Sequence, residues 1–254
     1  MLRETKELRG FKLRAHDGDI GSVQEFYFDD QTWTVRYLVA DTGSWLIERS
    51  VLISPYSLGL AIEEDHVIPV DLTKDQIERS PRIASHEPVS RQFEVDFYSF
   101  YGLPINGYGR HRLPHSSVVD PGGQASSRAD RSKNPWDPHL RSTRDLTGYH
   151  VHAKDGAFGH ISGFIIDDET WVIRYLIVDT KNWWPAKHVL ICPEWIESIS
   201  WDDWQVHVGL TCEVIRAAPP YLIDLLDRDY EAKVYAHYDK PGYWLEKQAA
   251  KDLS

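Results

Sequence analysis

DDQTWTVRYLVADTGSWLIERSVLISP (residues 29–55) returns as DDETWVIRYLIVDTKNWWPAKHVLICP at residues 167–193. Working outward, a shift of 138 residues lays 8–81 over 146–219 without a gap, and 21 of the 48 positions from Leu8 to Pro55 are identical. Asp17-Gly18, Gly21 and Phe26 face Asp155-Gly156, Gly159 and Phe164. A repeat this long, present twice, is not a solenoid, whose units run about 20–50 residues. It is a duplicated domain. A residue kept in both copies serves something the copies share. The candidates are Gly18, Gly21, Trp33, Arg36, Tyr37, Asp41 and Trp45, with Gly156, Gly159, Trp171, Arg174, Tyr175, Asp179 and Trp183. They read as the residues of a shared fold, with no catalytic signature among them.

Each copy alternates with period two or runs through β-branched and aromatic residues, as strands do. Residues 11–15 are expected as a first strand, Asp17-Gly18 as a tight turn and 21–28 as the return strand. Asp29-Asp30-Gln31 makes the next turn, and 33–40, 45–48 and 51–54 follow as strands. Residues 58–62 and 66–70 form a last hairpin, matched by 195–200 and 205–208. About six short strands per copy point to an all-β fold of two small closed antiparallel barrels, a closure that removes exposed edges. Thr73 is placed to cap a short helix at 74–79 before Pro81, and Thr211 and Pro219 repeat the arrangement. Phe93, Phe97, Tyr98 and Tyr101, and later Tyr230, Val234, Tyr235 and Tyr238, have the spacing of one helix face. That face is expected to dock on its own or its sister barrel.

The domains are expected at 1–104 and 143–254, each a barrel with a helical tail. Residues 105–142 between them lack periodicity and are rich in Gly, Ser and Pro, so they read as a flexible linker. Arg110, Arg112, Arg128, Arg131, Lys133 and Arg141 make this stretch basic within a chain of net charge −11. That overall charge argues against a duplex nucleic-acid partner, whose binding needs cationic groups on phosphate. It also disfavours an anionic membrane surface. The N-terminus is charged, with no apolar run behind it, so no signal peptide is expected. No stretch approaches the roughly 20 apolar residues of a membrane span. The two cysteines, Cys192 and Cys212, face Ser54 and Lys74, so no thiol pair belongs to the shared design. A cytoplasmic protein is the simplest expectation.

Candidate chemistry is sparse. Asp29-Asp30 and Asp167-Asp168 need nothing but a turn to explain them, since Asp bonds its own backbone there. Asp41 and Asp179 close a strand, and Asp41 with Thr42 is expected to turn the chain toward Trp45. His150 and His152 share a strand face, and His160, His188 and His207 lie in the same copy. Their counterparts are Lys12, Arg14, Ser22, Ser50 and Pro69, so a zinc site is not part of the shared design. There is no nucleophile elbow, phosphate loop or Cys-x-x-Cys. We therefore expect no catalytic, cofactor-binding or metal-binding residues. The second copy adds Trp184, Trp195, Trp201 and Trp204, none of which the first copy keeps. Trp195, Trp201 and Trp204 face Ser57, Glu63 and His66, and exposed indoles mark interaction sites. These three form the candidate partner surface.

Taken together, Leu8 and Gly10, Asp17-Gly18 and Gly21, Asp-Asp-x-Thr-Trp, the run from Arg36 to Trp45, and Val-Leu-Ile-x-Pro at 51–55 resemble the PRC-barrel family. That barrel occurs in the H subunit of the photosynthetic reaction centre and in a ribosome maturation factor. Tyr230-Glu231, Tyr235, Tyr238, Pro241, Tyr243 and Trp244 also resemble the tail of bacterial stand-alone members. The first copy has Phe93-Glu94, Tyr98, Tyr101 and Pro104 but lacks the final Tyr-Trp. The resemblance implies barrels that dock on proteins, with no cofactor and no common reaction. We thus expect a tandem PRC-barrel protein of the bacterial cytoplasm that is not an enzyme. Its role is protein interaction or assembly, with an internal pseudo-dimer of the two barrels and room for a homodimer. The alternatives are an accessory of an electron- or proton-transfer complex and, ranked lower, a ribosome-assembly factor.

Overall fold

The computed structural model describes residues 1–46, 49–81, 83–84, 89, 91–103, 139–180 and 186–245. In chain order it forms β1 (Leu2–Glu4), α1 (Thr5–Leu8), β2 (Lys12–Ala15), β3 (Gly18–Asp29), β4 (Thr34–Asp41), β5 (Arg49–Ile53), β6 (Val67–Pro69), α2 (Lys74–Arg79), β7 (Ile83–Ala84) and α3 (Arg91–Phe100). Then follow β8 (Leu140–Ser142), α4 (Thr143–Leu146), β9 (His150–Ala153), β10 (Gly156–Asp167), β11 (Val172–Asp179), β12 (His188–Ile191), β13 (Ile196–Ser200), β14 (Gln205–Val208), α5 (Cys212–Ala217) and α6 (Arg228–His237). The fold is mainly β with a few short helices, as the periodicity predicts. No helix among the described residues is long and apolar enough to cross a membrane.

The chain divides into two compact units. One holds Glu7–Ser142 and Asp168–Val172. Its strands run β6-β2-β3-β4-β5-β7. The 12-residue β3 carries β4 along one edge, and β2 followed by β8 along the other. The other unit holds Met1–Lys6, Thr143–Asp167 and Ile173–Ser254. There β10 has β9 and then β1 along one edge, and β14 and β13 continue outward from β9.

Several expectations change. The sheets are mixed rather than wholly antiparallel, because β2–β6 and β9–β14 pair in parallel. Among the described residues no pairing joins the outer strands of either unit, so the sheets are open rather than closed barrels. Residues 58–62 make only isolated bridges, Leu58 to Val70 and Ile62 to Val67. The reason is local: Gly59 N donates to Pro69 O at 2.8 Å, and Pro69 has no amide to return the bond. In the second copy the same region is a full hairpin, β13–β14. Trp45 lies in a turn rather than a strand, since its amide donates to Thr42 O at 3.2 Å and Gly43 N to Asp41 Oδ1 at 2.9 Å. Leu140–Ser142, within the stretch expected as linker, form β8; residues 105–138 of that stretch lie outside the described residues.

The first strands of the copies are placed reciprocally. β1 pairs with β10 of the second copy, Leu2 opposite Asp167 and Arg3 opposite Ile166. β8 pairs with β3 of the first copy, Leu140 opposite Asp29 and Arg141 opposite Phe28. These are the same pairings at the 138-residue offset. Leu2-Arg3 and Leu140-Arg141 are thus the true beginning of the repeat.

Two shared glycines have a steric cause. A Cβ on Gly21 would sit 2.1 Å from Asp41 O, and one on Gly159 2.3 Å from Asp179 O. The long strand passes the end of its neighbour so closely that only glycine fits. Asp17 and Asp155 have an electrostatic cause. The Oδ1 atoms accept the first amides of the short helices, from Lys74 N at 2.8 Å and Cys212 N at 2.7 Å. This backbone bond holds the Asp155 carboxyl below its usual range. Thr73 and Thr211 cap the same helices, accepting from Gln76 N and Val214 N. Trp33 and Trp171 end their turns with φ of 54° and 58°, and His66 and Trp204 do so with 51° and 57°.

Candidate functional site

Each unit docks its aromatic helix on its own sheet. In the first, Phe97 and Tyr98 of α3 pack with Tyr37, Val39 and Leu52. In the second, Tyr235 of α6 and Tyr238 at its C-cap cover Trp195, with ring centroids 5.4 and 4.6 Å apart. Each fully buried large apolar side chain contributes about 1.5–3 kcal/mol, so these stripes are core.

Each helix carries a buried glutamate, Glu94 in α3 and Glu231 in α6. Tyr37 Oη donates to Glu94 Oε1 at 2.9 Å, and Arg36 donates to the same oxygen. Arg36 also lies 3.7 Å from Asp29 Oδ2. Tyr37 faces Tyr27 while Val35 faces Phe28, so Arg36 is the extra residue of a bulge. The bulge aims Arg36 and its neighbour Tyr37 at one carboxylate, against strict alternation. In the second copy Tyr175 Oη donates to Glu231 Oε1 at 2.6 Å and Tyr243 Oη to the same atom at 3.0 Å. Arg228 holds Oε2 at 2.9 Å. Arg174 stacks on the Tyr243 ring at 4.2 Å and reaches Asp167 at 3.4 Å. Burial, then Glu231, pushes the Tyr175 phenol far above its usual range. Burial does the same for Tyr235 and Tyr238, and pushes Tyr230 and Tyr243 up to about 12. The Cys192 thiol is pushed up to about 11 by burial, and Cys212 is raised by burial as well. These groups are protonated at neutral pH. They offer neither phenolate nor thiolate, and Tyr235 Oη donates to Cys192 Sγ at 3.4 Å.

Asp29 builds the expected turn, its Oδ1 accepting from Gln31 N at 3.0 Å, Thr32 N at 2.9 Å and Thr32 Oγ1 at 3.1 Å. Asp30 does more: it meets His139 Nδ1 at 2.9 Å and Arg141 Nε at 3.0 Å. Sequence reasoning missed this contact. The signal was present in Leu140-Arg141 matching Leu2-Arg3.

The candidate partner surface is not brought together as a patch of three indoles. Trp195 ends a 3-10 turn, Pro193–Trp195, and is 6% exposed beneath α6. A register shift between Ile196 and Ser198 then breaks the parity that would have put Trp195 and Trp201 on one face. Trp201 is half-buried against Tyr149, ring centroids 6.0 Å apart. Trp204 is 66% exposed. Trp183 and Trp184 lie outside the described residues.

Among the histidines, His188 lies apart, 3.8 Å from Asp179. His152 and His207 oppose each other in register, ring centroids 5.3 Å apart. Partial burial, then His207 and His150, lower the His152 pKa. Among the described residues no group of three or more His, Cys, Asp or Glu is arranged to hold a metal ion.

The open sheet, the Asp-Gly turn tied to a capped helix and the glycine crossing define a class of small mainly β domains. Residues 3–77 match the family model of the PRC-barrel domain. That match begins within β1, the strand lodged in the other unit, and ends within α2 of the first copy. No curated protein matches the chain.

Proposed function

We propose that the chain is a non-catalytic interaction or assembly module built from two PRC-barrel-like copies, the second carrying the contact surface. The observation that carries this reading is Trp204. It is a large indole, 66% exposed and held at a left-handed φ of 57° by the β13–β14 turn, where the first copy has His66. Half-buried Trp201 and Tyr149 pack together beside that turn. Indoles are favoured at interface hot spots. The match of residues 3–77 supports a module without a common reaction, as do phenols and thiols held protonated.

Affinity capture from the native cell, comparing the wild type with Trp204→Ser, tests this. A partner retained by the wild type and lost from the variant, at unchanged melting temperature, is the expected result. Equal capture by both overturns the assignment of the surface.

A further inference from the structure

The second copy presents on one outward sheet face a set of histidines that the first copy lacks. On β9, Val151 and Ala153 are buried and point inward, so His150 and His152 point outward. The parallel register with β14 sets His152 opposite His207, between buried Val206 and Val208. The antiparallel register with β10 sets His160 opposite His150. Directly opposed residues of paired strands share a face of the sheet. The His152 and His207 rings lie 5.3 Å apart between centroids, tilted by 36°. Two imidazole nitrogens each about 2.0–2.1 Å from one ion stand about 3 Å apart. Rings at this separation reach that spacing by side-chain rotation alone. We propose that His152 and His207 form a two-histidine site for a divalent transition ion, with solvent in the remaining positions. Imidazole pairs suit Cu(II), Ni(II) and Zn(II), and Cu(II) binds most tightly of these.

The first copy is an internal control. Arg14 and Pro69 stand at the equivalent positions, and Arg14 is turned to Asp19 at 3.1 Å. The site therefore belongs to the second copy alone, and it does not depend on the Trp204 reading. The sequence shows five histidines in this copy but not which of them meet; the pairing of β9 with β14 selects His207 as the partner of His152.

Titration of the metal-stripped, tag-free full chain with Cu(II) alone tests the site by calorimetry and electron paramagnetic resonance. One saturable equivalent with hyperfine structure from two imidazole nitrogens is expected. His152→Asn and His207→Asn should each weaken binding by at least the about 10–100-fold that loss of an outer-shell partner costs and should remove the two-nitrogen pattern. His16→Asn, which alters an exposed pair with Asp71, should leave both unchanged. No saturable binding, or binding and spectrum unchanged in both variants, overturns the proposal. If a variant lowers the melting temperature, Zn(II) titration of the wild type by NMR decides. The His152 and His207 ring signals must shift first, and earlier shifts elsewhere overturn the site.

Discussion

Gly21 and Gly10 separate two costs that glycine can hide. Both have positive φ, but a Cβ on Gly10 meets nothing within 4 Å, whereas one on Gly21 meets Asp41 O at 2.1 Å. Gly10→Ala should cost about 1–2 kcal/mol, from the left-handed conformation alone. Gly21→Ala must also move backbone and should exceed it, at about 3 kcal/mol or more; urea unfolding of the two variants checks the order, and equal losses would refute the close approach. His152 gives a second residue-scale test. Its neutral form is favoured in the fold, so its folded pKa lies below the ordinary imidazole value of about 6.5. Its contribution to stability is then complete above that value and is lost as pH falls through the folded pKa. An NMR titration should place the His152 midpoint below 6.5, and His207→Asn should raise it; a midpoint at or above 6.5 contradicts the crowding of the two rings. The glycines were legible in the sequence as positions kept in both copies. Their cause was not, because the obstructing oxygen lies about 20 residues away on another strand.

At the scale of elements, the helices were legible and their anchor was not. The aromatic spacing in 93–101 and 230–238 predicts α3 and α6, and Tyr-Glu and Phe-Glu at their starts were visible. The Tyr37–Glu94 and Tyr175–Glu231 bonds span 57 and 56 residues, and no local pattern reports such a pairing. The bulge at Arg36 also defeats alternation, which is why the sequence could not send Arg36 and Tyr37 to one acceptor. Glu231 is 2% exposed and accepts from two phenols. Glu231→Ala should leave the Tyr175 hydroxyl buried without its acceptor and lower stability by about 1–3 kcal/mol per stranded donor. Tyr243→Phe, which leaves Tyr175 and Arg228 on the carboxylate, should cost less. Chemical unfolding of both variants ranks them; because Phe keeps the ring that stacks on Arg174, a larger loss in Tyr243→Phe would show that the bond from Arg228 to the Tyr243 hydroxyl, rather than the carboxylate, secures the C-terminal segment.

At the scale of the whole molecule, what the sequence hides is which copy each first strand serves. Leu2-Arg3 and Leu140-Arg141 are alike, and their partners at 27–29 and 165–167 are alike, so register rules allow either pairing. The structure gives β1 to β10 and β8 to β3. Conventional boundaries at 104 and 143 would cut both assignments, and the linker reading took in β8 because the preceding composition carries on to it. Hydrogen exchange on the chain lacking residues 1–4 distinguishes the alternatives. Removing β1 uncovers the edge of β10, so amides at 165–167 should exchange faster, while those at 27–29, still covered by β8, keep their protection. Faster exchange at 27–29 with 165–167 unchanged would instead mean that each copy keeps its own first strand, and that the reciprocal placement is wrong.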